Sequence, residues 1–303
     1  MPQVKIVEVG PRDGLQNEKQ PVSTAVKLEL IRRLAASSLN TIEAGAFVSP
    51  KWVPQMAGSA EVLAGLDQSG PASYPVLVPN EQGLDAALAA GAREIAVFGA
   101  ASESFSQRNI NASIAESLQR FAPVMARAQA AGVPVRGYVS CVVGCPYEGR
   151  IAPAKVAEVA ARLLDMGCYE ISLGDTIGVG TPSSVLAMLD AVSKTVPMAQ
   201  LAGHFHDTYG MAISNIHACL RAGMMTFDSS VAGLGGCPYA QGASGNVATE
   251  DVVYLLHGEG HDTGIDLAAL VDTAWFIADA LGKPPASKLA HAIGGKRAAG
   301  LER

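Results

Sequence analysis

Two histidines that stand two positions apart are the clearest chemical signal in this chain. His204 and His206 belong to the segment GHFHDT at residues 203–208. Alternate side chains of a β-strand point to the same side, so a strand here would bring both imidazoles together. The pair would then supply half of a metal site, although two hydrogen-bonded histidines at a strand end explain this motif alone equally well.

Asp13 and Asn246 are the candidates for the third and fourth metal ligands. Asp13 lies in the tight segment GPRDGLQ at residues 10–16, and Asn246 ends a glycine-rich loop. Two nitrogen and two oxygen ligands with room for water suit an octahedral Mg²⁺ or Mn²⁺ better than a structural zinc. Cys141 and Cys145 resemble half of a zinc motif, but no second Cys/His pair follows at a suitable spacing, and we interpret them as structural.

Arg12 directly precedes Asp13 and has two interpretations. Its guanidinium is either the ion-pair partner of a metal-bound carboxylate or a stabiliser of an oxyanion that forms only in the transition state. Glu43 and Asp175 are further candidates, because carboxylates behind a metal site orient the histidines or the arginine.

The loop at residues 233–246 contains five glycines and has Cys237 near its middle. Such a loop resembles a phosphate cradle, but no Gly-Lys-Ser/Thr follows it. A lid that closes on substrate is the better interpretation. A free cysteine is usually a small buried hydrophobic residue, yet in this polar loop we predict a chemical role for Cys237.

The elements that position these residues follow an alternating pattern. Short β-rich runs alternate with longer Ala/Leu-rich segments, which is typical of βα units around a parallel sheet. The predicted strands are 4–9, 41–44, 74–78, 94–97, 135–141, 170–173, 201–206 and 226–230. The predicted helices include 23–36, 113–131, 153–166, 182–195 and 209–222, and a repeated Ala-Gly pair is predicted to end several of them.

Eight strand–helix steps favour a closed (β/α)₈ TIM barrel, a fold that needs about 250 residues. A doubly wound open sheet is the alternative. In a chain of 303 residues, we predict a catalytic barrel at 1–264. Residues 265–303 are then a C-terminal helical extension packed on the barrel, with extra helices at 266–281 and 285–299.

Most candidate residues fall at or just beyond the predicted C-terminal ends of strands, which is the face where (β/α)₈ barrels place their active sites. Arg136, early in its strand, is the exception. The residues at this face are Arg12, Asp13, Gln16, Glu43, Ser140, Asp175, His204, His206 and Asn246.

The composition of the chain argues against some classes of binding partner. A formal net charge of −6 and a pI near 5.5 argue against nucleic acid or an anionic membrane as the main partner. No apolar run reaches the roughly 18 residues of a membrane span, and the first residues are strand-like without the features of a presequence. The five cysteines are an odd, scattered set rather than a disulfide framework. A cytoplasmic enzyme with reduced thiols is the prediction.

At these residues the sequence resembles the 3-hydroxy-3-methylglutaryl-CoA lyases, a family of metal-dependent (β/α)₈ enzymes. The resemblance spans essentially the whole chain. Its marks are VEVGPRDGLQNE at 7–18, EAGAFVSP at 43–50, GHFHDT at 203–208 and SVAGLGGCPY at 230–239. The Arg-Asp and His-x-His parts are shared with isopropylmalate and homocitrate synthases, whereas the cysteine-bearing loop resembles the lyases and not those synthases.

The resemblance implies cleavage of (S)-3-hydroxy-3-methylglutaryl-CoA to acetyl-CoA and acetoacetate. It also implies an acyl-CoA substrate, a Mg²⁺ or Mn²⁺ ion and a homodimer. The residues that it assigns are metal ligands Asp13, His204, His206 and Asn246, an acid/base Cys237, an enolate stabiliser Arg12, and site-supporting residues Glu43, Asp175 and Arg136. Gln16 and Ser140 join Arg12 and Arg136 as predicted substrate-binding residues.

Three other functions are compatible with parts of this pattern. One is a related acyl-CoA-dependent aldolase or Claisen synthase on the same barrel. Another is a zinc hydrolase barrel, which places His-x-His on its first strand rather than the seventh. The third is a non-catalytic barrel, which has no physical reason to keep Asp13, His204, His206, Asn246 and Cys237 together.

Overall fold

The computed structural model describes residues 3–236 and 245–298, which contain ten β-strands and eleven α-helices. The strands are β1 (Lys5–Glu8), β2 (Gly45–Ala46), β3 (Val76–Leu77), β4 (Ile95–Ala100), β5 (Val135–Ser140), β6 (Gly144–Cys145), β7 (Gly149–Arg150), β8 (Glu170–Asp175), β9 (Leu201–Phe205) and β10 (Thr226–Ser229). The helices are α1 (Thr24–Ala36), α2 (Ser59–Ala64), α3 (Glu81–Ala89), α4 (Glu103–Ile110), α5 (Ile114–Ala130), α6 (Pro153–Asp165), α7 (Pro182–Val192), α8 (Ala212–Arg221), α9 (Thr249–Gly258), α10 (Leu267–Leu281) and α11 (Lys288–Ala298).

Eight of these strands form one parallel sheet in the order β1-β10-β9-β8-β5-β4-β3-β2. The two ends of this sheet meet at Glu8, which forms a parallel bridge with Ile42. The Glu8 amide donates to the Thr41 carbonyl at 2.9 Å, and the Glu43 amide donates to the Glu8 carbonyl at 2.8 Å. The predicted closed (β/α)₈ barrel is therefore confirmed. The antiparallel hairpin of β6 and β7 was not predicted.

Local sequence signals set the ends of the helices. The Ser113 side chain accepts a hydrogen bond from the Glu116 amide and Glu116 bonds back, which forms a capping box at the start of α5. Gly132 and Gly223 leave helices with φ of 68° and 100°. Only glycine adopts this conformation without strain, so the predicted role of the Ala-Gly pairs is confirmed at these positions.

The second strand differs from the prediction of 41–44. Thr41 and Ile42 form only isolated bridges, with Ser73 and Glu8 respectively, and the regular strand is Gly45–Ala46, which pairs with β3. Neighbouring strands of a barrel are staggered along its axis. The segment therefore meets β1 and β3 at different residues, and this stagger leaves only a short regular ladder.

The last two helices pack on the outside of the barrel. The Asp266 amide, at the start of α10, donates to the Ser37 carbonyl at 2.9 Å, and the Arg33 guanidinium of α1 lies 4.3 Å from the centre of the Phe276 ring. We propose that the barrel ends near residue 264, as the sequence predicts. Within the described residues, no helix has both the length and the apolar character needed to span a bilayer.

Candidate metal centre and active site

Asp13, His204 and His206 form one cluster at the C-terminal end of the barrel strands. Asp13 lies on the single helical turn Gly10–Gly14 that follows β1, His204 is in β9, and His206 follows it directly. One possible ligand atom from each side chain lies within 4.8 Å of those of the other two. The two-residue spacing of the histidines thus places both imidazoles on the side that faces Asp13, as predicted.

Asn246 joins this cluster because its backbone pairs with the backbone of His206. It forms an antiparallel bridge with His206, and its side-chain amide donates to Asp13 Oδ2 at 2.9 Å and to the Leu234 carbonyl at 3.2 Å. All four predicted ligand residues therefore lie together.

The chemistry of these donors fits a divalent cation. The pKa of Asp13 is lowered to about 2, because the opposing effect of burial is exceeded by Arg12, His204 and His206. Burial and the nearby His204 lower the pKa of His206 to about 4, so its imidazole is neutral at pH 7. His206 Nδ1 is buried and has no hydrogen-bond partner among the described residues. An ionised carboxylate beside the neutral His206 imidazole suits a metal ion. Burial acts to lower the pKa of His204, but nearby carboxylates hold it above its usual value, so His204 would release a proton when it binds a metal.

Arg12 connects Asp13 of this cluster to Glu43. Its Nε donates to Glu43 Oε2 and its Nη1 donates to Asp13 Oδ1, each at 2.7 Å. Burial acts to lower the pKa of Arg12, but the Glu43 and Asp13 carboxylates hold it above its usual value. The guanidinium is therefore a fixed cation, and Glu43 lies where the sequence places a residue that orients it.

A cavity of about 570 Å³ opens at this end of the barrel. Apolar side chains, among them Leu77, Phe98 and Phe105, form part of its wall. The predicted site residues that line it are Arg12, Asp13, Gln16, Ser140, His204 and His206. The buried Oε1 atom of Gln16 has no partner among the described residues, so it is available to a substrate donor.

Two predicted site residues lie elsewhere. Arg136 is fully buried and does not line the cavity, because its guanidinium bonds to Glu170 and Asp228 inside the barrel. We correct its predicted contact with substrate accordingly. Asp175 accepts hydrogen bonds from the amides of Val179 at 3.2 Å and Gly180 at 2.7 Å. Its carboxylate thus orders the loop after β8 and has no hydrogen bond to the side chains of His204, His206 or Arg12 among the described residues. Only its backbone reaches the histidines, because its carbonyl accepts from the His206 amide at 3.4 Å.

Asp228 was missed in the sequence and occupies the position expected for Asp175. It is buried in β10, and its Oδ2 lies 3.2 Å from His204 Nδ1. The sequence did contain a signal for this residue. An aspartate in a short strand of otherwise apolar or small residues is expected to be buried, and a buried carboxylate must have a charged or hydrogen-bonding partner. Cys237 lies outside the described residues, so its role stays a prediction. The Gly236 carbonyl just before it accepts from Asn17 at 3.0 Å.

A closed parallel barrel with a carboxylate and two imidazoles in a cavity at the C-terminal ends of its strands is the arrangement of a TIM-barrel enzyme with side chains that could hold a metal ion. The HMGL-like family model matches residues 3–277, and the chain belongs to the HMGL-like family.

Relatives and a solved structure agree with this assignment. The chain is 61% identical over 289 residues to the mitochondrial hydroxymethylglutaryl-CoA lyase of Gallus gallus, with 95% of this chain and 97% of the relative covered. It is 58% identical over 298 residues to the hydroxymethylglutaryl-CoA lyase of Pseudomonas mevalonii, with 98% and 99% covered. The crystal structure of hydroxymethylglutaryl-CoA lyase from Pseudomonas aeruginosa superposes with a TM-score of 0.95 at 59% identity, covering 97% of this chain and 98% of that one.

Proposed function

We propose that this chain is a divalent-metal-dependent lyase that cleaves (S)-3-hydroxy-3-methylglutaryl-CoA to acetyl-CoA and acetoacetate. The observation that carries the proposal is the placement of Asp13, His204 and His206 in one cluster beside Arg12. This cluster lies in a chain about 60% identical to hydroxymethylglutaryl-CoA lyases over nearly its whole length. We propose Mg²⁺ or Mn²⁺ as the ion, because half of the four ligand residues are oxygen donors. The homodimer and the cytoplasmic location stay predictions.

The reaction breaks the C2–C3 bond of the acyl group. The C3 hydroxyl gives its proton to a base of the site and becomes the ketone of acetoacetate, while the electron pair of the broken bond passes to the acetyl-CoA enolate. A general acid, proposed as Cys237, then protonates the enolate carbon and gives acetyl-CoA. Asp13, His204, His206 and Asn246 would hold the cation, which when bound polarises the substrate hydroxyl. The same side chains fix where the acyl group lies, and this positioning lowers the barrier further.

Arg12 is placed to stabilise the enolate oxygen. A guanidinium has five N–H donors, and the Glu43 and Asp13 carboxylates each accept one of them. The remaining donors belong to a side chain that lines the cavity. Because Glu43 and Asp13 already fix the guanidinium, little reorganisation is needed when negative charge develops on the thioester oxygen.

Metal removal tests the reaction. With Mg²⁺ or Mn²⁺, the purified protein is expected to form acetoacetate and acetyl-CoA in equal amounts from 3-hydroxy-3-methylglutaryl-CoA. Treatment with EDTA should abolish product formation, and added metal should restore it. Absence of both products from folded, metal-loaded protein would refute the lyase. Turnover of other 3-hydroxyacyl-CoA or 2-oxo acid substrates would then favour a related aldolase or synthase.

Replacement of Cys237 tests the proposed acid/base. Cys237→Ala is expected to lower kcat by about 10²- to 10⁴-fold, the usual contribution of a general acid, while the Kd for Mn²⁺ stays unchanged. Cys219→Ala is the matched control, because burial raises the pKa of the Cys219 thiol to about 12 and keeps it inert. Normal turnover in Cys237→Ala would remove this residue from the mechanism.

A further inference from the structure

A buried carboxylate lies directly beneath the metal-ligand cluster. Asp228 is only 1% exposed and accepts from Arg136 Nη2 at 2.7 Å through Oδ1. Its Oδ2 accepts from Ser172 Oγ at 2.7 Å and from Arg136 Nη1 at 3.1 Å, and lies 3.2 Å from His204 Nδ1. Four donors therefore converge on one carboxylate.

Strand pairing produces this convergence. Asp228 in β10 lies directly opposite His204 in β9, and Ser172 in β8 lies opposite Tyr138 in β5, two residues after Arg136. The next three strands of the sheet, β9, β8 and β5, thus each direct a polar side chain at Asp228. Asp228 does not line the cavity, so in the described part of the chain it lies away from the space that a substrate would occupy.

The contacts of Asp228 fix the tautomer of His204. The bidentate pair with the Arg136 guanidinium is the geometry of an ionised carboxylate. An ionised carboxylate only accepts hydrogen bonds, so His204 Nδ1 must carry a proton. In the neutral imidazole the lone pair is then on Nε2, the atom 3.9 Å from Asp13 Oδ2.

We propose that Asp228 is a positioning residue for the metal centre, which fixes His204 with Nδ1 as donor and Nε2 as the metal-binding atom. Arg136 completes the arrangement by neutralising the buried carboxylate. This inference rests on the metal site of the proposed function. Carboxylates that accept from the second nitrogen of a metal-binding histidine raise its basicity, and their loss typically costs about 10- to 100-fold in metal affinity.

Asp228→Asn tests the inference, because it keeps the shape of the side chain but replaces one oxygen with an NH₂ group. Arg136 is only a donor and therefore favours the amide oxygen, which turns the NH₂ group towards His204 Nδ1. That contact requires the opposite tautomer, with the proton on Nε2. We expect the Kd for Mn²⁺, titrated into the full-length metal-depleted protein, to rise about 10- to 100-fold. In ¹⁵N spectra of histidine-labelled metal-depleted protein, recorded at alkaline pH so that His204 carries a single ring proton, this proton should move from Nδ1 to Nε2.

Two further variants keep the test decisive. Glu170→Gln is the matched control, since Glu170 accepts from Nε of the same Arg136 guanidinium at 2.7 Å but has no contact with His204. Its Kd for Mn²⁺ should stay within about threefold of the parent. If Asp228→Asn does not fold, Arg136→Met/Asp228→Leu removes both buried charges together with the acceptor for His204 Nδ1, and Glu170 keeps Lys5 as a partner at 3.4 Å. The Kd of this double variant should also rise about 10-fold or more.

The outcomes separate this inference from the proposed function. Unchanged Mn²⁺ affinity and an unchanged His204 tautomer in folded Asp228→Asn, or unchanged affinity in the folded double variant, would overturn the positioning role and leave the metal site intact. No binding of Mn²⁺ by the parent protein would instead contradict the metal site itself.

Discussion

Replacement of Arg12 by glutamine is expected to lower kcat about 10³-fold or more, with KM changed by less than about threefold. Glutamine keeps two of the donors but loses the positive charge. That charge stabilises negative charge on the thioester oxygen, which develops only as the C2–C3 bond breaks. The substitution therefore destabilises the transition state and leaves substrate binding almost unchanged. Steady-state kinetics with saturating metal measure both constants.

Loss of a buried cation also has structural effects, which controls must separate. In Arg12→Gln the fully buried Glu43 loses its cationic partner, and burial already raises the pKa of Glu43. Glu43→Gln shows how much of the loss comes from a misplaced guanidinium, and it should reduce kcat less than Arg12→Gln does. Arg127→Gln, at a guanidinium that bonds to Glu81 and Asp85 on the surface, should retain normal turnover. Near-normal kcat in Arg12→Gln would refute the enolate-stabilising role.

Asp13→Asn is expected to raise the Kd for Mn²⁺ about 100-fold or more and to reduce turnover at limiting metal to a similar extent. Asp13 is the only carboxylate in the ligand cluster that the described residues form, so its amide analogue removes the negative charge from the centre. The same carboxylate accepts from Arg12 and Asn246. An amide offers only one acceptor atom, so the contact with one of these donors is lost as well. Titration with Mn²⁺ followed by electron paramagnetic resonance measures the affinity directly.

Asp207→Asn is the matched control for Asp13→Asn. Asp207 follows His206 in the chain, but its carboxylate accepts from the Ala212 amide at 3.0 Å at the start of α8. Asparagine keeps an acceptor oxygen for this amide and loses only the exposed ion pair with Lys288 at 3.7 Å. The replacement should therefore leave both the melting temperature and the affinity for Mn²⁺ nearly unchanged. An Asp13→Asn variant that binds Mn²⁺ as tightly as Asp207→Asn would show that Asp13 is not a ligand.

Residue spacing in the sequence indicated the eight strands and most of the candidate cluster, whereas the bridge between Glu8 and Ile42 decided between a closed barrel and an open sheet. Alternation of short β-rich runs with helical segments predicted eight parallel strands, because each period is a local property of the chain. The same locality placed His204 and His206 on one side of a strand. Asp13 follows β1 and Glu43 lies near the end of the predicted strand 41–44, and parallel strands of a barrel all end at one face. The polar residues at the predicted strand ends therefore already included the residues that meet at this face of the barrel.

The closed barrel determined which side chains at that face contact one another. Asp228 rather than Asp175 contacts His204, Arg136 pairs inside the barrel, and the Asn246 amide reaches Asp13 across 233 positions of sequence. These contacts depend on the stagger between neighbouring strands and on the return of the chain after β10. Both are set by ring closure and side-chain packing among distant segments. No local period of the sequence encodes them, so only the tertiary structure distinguished Asp228 from Asp175 as the partner of His204.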